Sequence, residues 1–320
     1  MYSVQKFCED VRSSAFGGSA EMVENGVKAF CWQIGNTAFS GTSDLKKQTE
    51  GWLDDALHAS GSVLPQINFI IRMNAFLEKL PGEYPLKEAK QDLLIFLEQI
   101  GKTQKNSLRS IGMTGANLIR DGGRVSTFST SGTVEEIYRQ AIAAGKKVSA
   151  SVFESRPHKE GKRTFKTLCS FGVKTVFGVD ALMYKLIPGS DFFVIGADAV
   201  RATGEVYAKT GSYMAALVCR ESGIPFYVAA DTSKFDAMSV LGYPLRDSSR
   251  PWEESYDEAL PENGEVRNIS FELIPPQLVS GIITEKGIVS PQAFSTIAGT
   301  GELSVSMREK LAAWLKTKRF

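Results

Sequence analysis

The chain has 320 residues, enough for two domains or for one domain with a large extension. Its composition, 43% hydrophobic and 23% charged, is that of an ordinary soluble globular protein. Thirty-seven Lys and Arg against 36 Asp and Glu leave a formal net charge of +1. That balance argues against general binding to nucleic acid or a membrane surface, a local basic patch aside.

The N-terminus, "MYSVQKFCEDVRSSAF", has no basic stretch followed by an apolar run and does not read as a secretory signal. From Ala20 onward, apolar residues recur at helical spacing. "AEMVENGVKAFCWQIG" puts Val23, Val27 and Phe30 on one stripe and predicts a helix ending near Gly35. "DLKKQTEGWLDDALHAS" and "LPQINFIIRMNAFLEKL" follow, the latter closed by Pro81-Gly82. "LKEAKQDLLIFLEQIGKT" predicts a helix stopping at Gly101, with a connecting helix from Asn106 to Ile119. The apolar runs of this half are too short to span a bilayer, so a cytoplasmic protein is expected.

From Gly122 the pattern changes. "RVSTFST", "KVSASVF", "VKTVFGV", "DFFVIGAD" and "IPFYVAA" are short β-rich runs. "GTVEEIYRQAIAAG", "GKRTFKTLCSFG", "ALMYKLIPG" and "SYMAALVCRESG" separate them as helices. This alternation predicts βαβ units and a parallel sheet covered on both faces. The fold class expected is therefore α/β: an N-terminal helical domain over 1–110, then a Rossmann-like parallel sheet domain over 111–320. "WEESYDEALPENGE" reads as an acidic, loop-like insertion around Trp252, and "SVSMREKLAAWLKTKRF" as a terminal amphipathic helix.

Ligands of such sheets gather beyond the carboxyl ends of the strands, which directs attention to the groups there. "STFSTSGTVEE" brings Ser129 and Gly132 to a strand–helix junction, where backbone N–H groups and the helix dipole suit a phosphate. The same residues also read as an ordinary Ser/Thr N-cap. "ESRPHKEGKR" sets Arg156 just after a strand; its planar fork matches a phosphate or carboxylate, although charge runs are often solvated loops. Asp198 ends an apolar strand and leads into a glycine-punctuated connection carrying Lys209. A partly buried carboxylate there can move substrate protons, or it can simply cap a turn.

Other chemistries find little support. The four cysteines, Cys8, Cys31, Cys169 and Cys219, have no CxxC spacing, and the two histidines are His58 and His158. No metal site is expected, and the thiols read as buried and free. His158 shows no partner in the sequence and reads as exposed. No GxxxxGK(S/T) and no GxGxxG in its proper context occurs, so no nucleotide-hydrolysing or nicotinamide chemistry, and no cofactor, is expected.

Together these blocks, in this order, resemble the family that joins the alpha, beta and delta subunits of translation initiation factor 2B with two sugar-phosphate isomerases. Those isomerases act on 5-methylthioribose 1-phosphate and ribose 1,5-bisphosphate. The resemblance is strongest from Leu108 to Gly287 and rests on "GANLIRDGGRVSTFSTSG", "ESRPHKEGKRT", "IGADAVRATGEVYAKTGSYMAAL", "IPFYVAADTSKFD" and "FELIPPQLVSGIITEKG". It implies that Asp198 corresponds to the isomerases' catalytic aspartate. It also implies that Ser129 stands where they carry a cysteine, a far better acid at neutral pH. Arg156 and Lys209, with Gly132 and Gly211, take the places of phosphate and substrate contacts, while the family's asparagine has become Ala208. Two expectations follow. One is a phosphosugar-binding protein, an aldose–ketose isomerase with an altered site. The other is a non-catalytic regulatory or assembly protein similar to the initiation-factor subunits. The expected partners are a phosphorylated sugar or nucleotide, a second copy of the chain in a homodimer or larger assembly, and a paralogous protein; no membrane and no direct nucleic-acid contact are expected.

Overall fold

The computed structural model describes residues 2–13, 15–16, 18–60, 63–244, 249–299 and 304–316. The chain forms two compact units, one of residues 1–106 with 300–320 and one of residues 107–299. Relative to the expected division at 110/111, the C-terminal stretch groups with the helices rather than with the sheet.

The first unit is helical. It contains α1 (Val4–Arg12), α2 (Ser19–Asn36), α3 (Thr42–Ala59), α4 (Leu64–Lys79) and the beginning of α5 (Leu86–Leu118). Ser3 caps α1 by accepting the Lys6 N–H at 3.2 Å, and Val4, Phe7, Cys8 and Val11 form its buried stripe. Gly101 does not end a helix. The expected stop and the separate connecting helix are one continuous element, α5, through both positions. Leu93, Leu97 and Ile100 before the glycine and Ile111 after it are fully buried or nearly so. Packing of this kind outweighs the ~1 kcal/mol helix penalty of one glycine.

The second unit continues α5 and adds a layered sheet. In chain order it contains β1 (Arg124–Thr127), α6 (Gly132–Ala143), β2 (Ser149–Phe153), α7 (Gly161–Ser170), β3 (Lys174–Gly178), α8 (Met183–Leu186), β4 (Phe192–Gly196), β5 (Ala199–Arg201), β6 (Val206–Lys209), α9 (Ser212–Glu221) and β7 (Phe226–Ala229). It ends with β8 (Phe235–Asp236), β9 (Phe271–Ile274), β10 (Gly281–Thr284), β11 (Gly287–Val289) and α10 (Phe294–Ala298). The last helix, α11 (Val305–Lys316), belongs to the first unit. There it buries Met307, Leu311 and Trp314, and Ser306 Oγ donates to Glu78 Oε1 at 2.6 Å.

Seven strands form the main sheet in the order β11-β10-β7-β4-β1-β2-β3. All pairs are parallel except β10 with β11. The apolar runs explain the burial on both faces. Along β4, Phe193 and Ile195 enter one core with Phe153 and Phe226, whereas Phe192 and Val194 enter the other with Val125, Ile137 and Leu168. From β1 the chain progresses through β2 to β3, then returns to the other side of β1 as β4. The gap beyond the ends of β1 and β4 is therefore the topological switch point, where open α/β sheets take their ligands.

The connection after Asp198 is also more ordered than its glycines suggest. β5 and β6 form an antiparallel hairpin in a second sheet of order β8-β5-β6-β9. Among the described residues no helix is long and apolar enough to cross a membrane.

Candidate functional site

Ser129 follows β1, two residues past its last member, and sits at a φ of 65°. That left-handed conformation is uncommon for a residue with a side chain. Three bonds hold it. Its N–H donates to Ser155 Oγ at 2.7 Å, its carbonyl accepts from Thr164 Oγ1 at 2.8 Å, and its own hydroxyl donates to Glu160 Oε1 at 2.8 Å. Ser155, at the end of β2, shares the left-handed φ of 65°. Asp180 fixes that corner by accepting the N–H groups of Ser155 and Arg156 at 2.8 and 2.9 Å.

Glu160 reaches Ser129 because α7 starts tight against β2. A Cβ on Gly161 would lie 1.8 Å from the Phe153 carbonyl oxygen, so only glycine fits there. Lys209 ends β6 and is buried, with 7% of its surface exposed, and its Nζ lies 3.3 Å from the same Glu160 oxygen. The β5–β6 hairpin orients it, since Asp198 donates its N–H to the Tyr207 carbonyl at 2.9 Å.

Asp198 stands two residues beyond β4, the strand next to β1. Burial pushes its carboxyl pKa up; the Lys234 and Lys209 ammonium groups pull it down, and Glu160 pushes it up further. Burial wins, so the carboxyl holds its proton to a higher pH than an exposed aspartate. Lys234, on the short turn after β7, is itself buried.

The structure thus joins Ser129 and Lys209 through Glu160, and sets Asp198 in the field of that pair. Arg156 stands apart: it is exposed, and among the described residues its guanidinium has no ion-pair partner. Gly132 is the exposed first residue of α6, whose N-cap is Ser131, accepting from the Val134 N–H at 3.4 Å. The N-cap use of this stretch is therefore realised. Gly211 takes a φ of 105° under Phe128, where a Cβ would come within 2.7 Å of the ring. Its N–H and that of Tyr213 donate to Glu272 Oε1 at 2.7 and 2.8 Å. A protein carboxylate already holds the start of α9.

Glu160, Lys234, Asp180 and Glu272 were not singled out from the sequence. Glu160 lay in plain view in "ESRPHKEGKR" but reads there as one charge in a mixed run. His158 is exposed, as expected, but the fold gives it a neighbour that the sequence does not show: its Nε2 lies 3.5 Å from Glu254 Oε2 in the Trp252 insertion. One other reading changes. Cys169 is exposed rather than buried.

An open groove of about 540 Å³ also exists within the helical unit, lined by Phe76, Leu80, Tyr84 and Phe96 among others. Its carboxylate, Asp92, is bonded by the Tyr84 hydroxyl at 2.6 Å. It presents an aromatic surface rather than a set of groups for proton transfer.

A carboxyl that burial makes harder to ionise, a carboxylate on a hydroxyl, and two buried ammonium groups at a switch point can move protons and hold an anion. The sequence profile of the initiation factor 2 subunit family matches residues 36–291. The chain belongs to that family. Among its relatives, the ribose 1,5-bisphosphate isomerase of Methanocaldococcus jannaschii is 33% identical over 233 residues, covering 70% of this chain and 76% of that one. The methylthioribose-1-phosphate isomerase 1 of Pseudothermotoga lettingae is 35% identical over 246 residues, covering 71% of this chain and 66% of that one. Among solved structures, the translation initiation factor eIF-2B of Pyrococcus horikoshii OT3 superposes with a TM-score of 0.71 at 26% identity, covering 90% of this chain and 97% of that one. Family membership spans both candidate roles, enzyme and translation factor.

Proposed function

We propose that this initiation factor 2 family member binds a phosphorylated pentose at the switch point and isomerises it between aldose and ketose. Asp198 is the proton donor, Ser129 stands where the isomerases carry cysteine, and Lys209 and Arg156 receive phosphate and hydroxyl groups. The observation that carries this reading is Asp198 itself: a carboxyl pushed toward its protonated form by burial, within the field of two buried lysines, beyond the end of the strand beside β1. Further support comes from the buried hydroxyls of Ser212 and Ser270 and the hydroxyl of Thr210, which have no hydrogen-bond partner among the described residues. They lie where β6, α9 and β9 meet, and buried polar groups of this kind call for a partner.

The test is a thermal-shift screen with ribose 1,5-bisphosphate, 5-methylthioribose 1-phosphate and nucleoside monophosphates, followed by turnover assays. A ligand at about 100 times its Kd adds ~2.7 kcal/mol of stability, a shift of several degrees. That shift is expected with one pentose phosphate and should shrink in Arg156→Ala. No shift with any of them would overturn the reading.

A second reading, a regulatory subunit assembled with a paralogue, is favoured by one specific observation. Neither Ser129 nor the buried Ala208 supplies the chemistry of the cysteine and asparagine they replace. It predicts stable co-purification with a paralogous chain, independent of any phosphosugar. A homodimer through the sheet-containing unit is the assembly proposed under the first reading.

A further inference from the structure

An aliphatic hydroxyl does not release its proton near neutral pH without an adjacent base, so Ser129 needs one if it is to stand in for a thiol. We propose that Glu160 is that base: it accepts the Ser129 hydroxyl proton at Oε1, so that Ser129 Oγ becomes the proton-accepting group of the site. Glu160 acts through Ser129 and is a positioning residue for it.

The geometry supports this in three ways. First, Ser129 occupies a strained strand–turn–helix corner, with a φ of 65° between β1 and α6. That is how a nucleophile is presented at the top of an α/β sheet even where the surrounding glycine motif is missing. Second, the backbone of Ser129 is pinned through its N–H and carbonyl by Ser155 and Thr164, and from that corner its hydroxyl reaches Glu160 Oε1 at 2.8 Å. Third, Glu160 Oε1 also faces Lys209 Nζ at 3.3 Å, so its charge is held beside the hydroxyl. Glu160 and Lys209 also act on Asp198 through their charges, as does Lys234. Asp198, which burial makes harder to ionise, and Glu160, whose Oε1 lies within reach of both the Ser129 hydroxyl and Lys209, stand at the two ends of the proton transfer.

The substrate step rests on the isomerase reading above. Asp198 gives its proton to the ring oxygen as that oxygen takes the electron pair of its bond to C1. Hydride passes from C2 to C1, and the C2 hydroxyl becomes the ketone by losing its proton to Ser129 Oγ. The Ser129 proton moves to Glu160 Oε1. The sugar is isomerised without net change, and solvent returns one proton from Glu160 to Asp198.

Activation of Ser129 can be tested without a sugar. A fluorophosphonate probe forms an Oγ–P bond as the P–F bond breaks; fluoride leaves and the proton goes to Glu160. Mass mapping should find the phosphonyl group on Ser129 of the wild type. Labelling should be absent in Ser129→Ala and slowed about 10²-fold in Glu160→Gln. An unlabelled wild type, or Glu160→Gln labelled at the wild-type rate, overturns the proposal.

In turnover, Glu160→Gln should lower kcat about 10²-fold with KM nearly unchanged. Adding Ser129→Cys should restore most of that loss, because a thiol ionises without the base. An equal loss in both backgrounds would mean a merely structural role and overturns the assignment. Labelling without turnover would remove the isomerase reading and keep the Glu160 assignment. Turnover without labelling would do the reverse.

Discussion

At the scale of single residues, Asp198 links stability to pH. Its folded-state pKa is raised by burial, so the folded chain binds this proton more tightly than the unfolded chain does. Stability contributed by the group therefore falls as pH rises from the ordinary carboxylate value to the raised one, and above that the charged form is a standing cost. Asp198→Asn removes the cost. The variant should melt higher than wild type at pH 7, by about 2–4 °C per kcal/mol for a domain of this size. The gain should vanish below about pH 4, while turnover falls by about 10²-fold or more. Scanning calorimetry across pH checks it; a lower melting temperature at pH 7 would show that the folded state needs the charged carboxylate. Asp198 was legible in the sequence because an acid at the end of an apolar strand breaks the local pattern. Glu160 and Lys234 were not, because a charge in a polar stretch fits its surroundings, and only contacts across the fold give each a role.

At the scale of elements, the strands and most helices follow from period and alternation, and their ends from local punctuation. The failures have a common cause. Gly101 is a sound stop signal by propensity, yet α5 continues through it, since burial on both sides outweighs a penalty of ~1 kcal/mol. A Cβ there would meet only Val27 Cγ1, at 3.8 Å. Gly101→Ala should thus stabilise the protein by roughly 0.5–1 kcal/mol, read as a higher denaturation midpoint at unchanged slope. A destabilised variant would show that the helix is strained at this point. The β5–β6 hairpin was missed because its strands are short, and pairing with β8 and β9 supplies what the sequence between Asp198 and Lys209 does not announce.

At the scale of the whole molecule, the Trp252 insertion meets the loop that carries Arg156. Glu254 faces His158 at 3.5 Å and is held by Arg250 at 2.8 Å and Asn268 at 3.1 Å. This contact sets the insertion beside the loop between β2 and α7, from where a covering role can be tested. Limited proteolysis near Trp252 should slow when a pentose phosphate is added. Cleavage unchanged by a ligand that raises the melting temperature would mean the insertion does not close over it.

Sequence by itself determined the α/β class, the helical beginning, the strands whose ends carry Ser129, Arg156 and Asp198, and the likeness to a family of isomerases and translation factors. These are properties of short segments, where period, punctuation and motif order act locally. Only the tertiary structure decided that β4 lies beside β1, that α11 joins the helical unit, and that Ser129, Glu160 and Lys209 meet. Strand order and cross-chain ion pairs depend on how both faces of the sheet are covered at once, and no window of sequence contains that information.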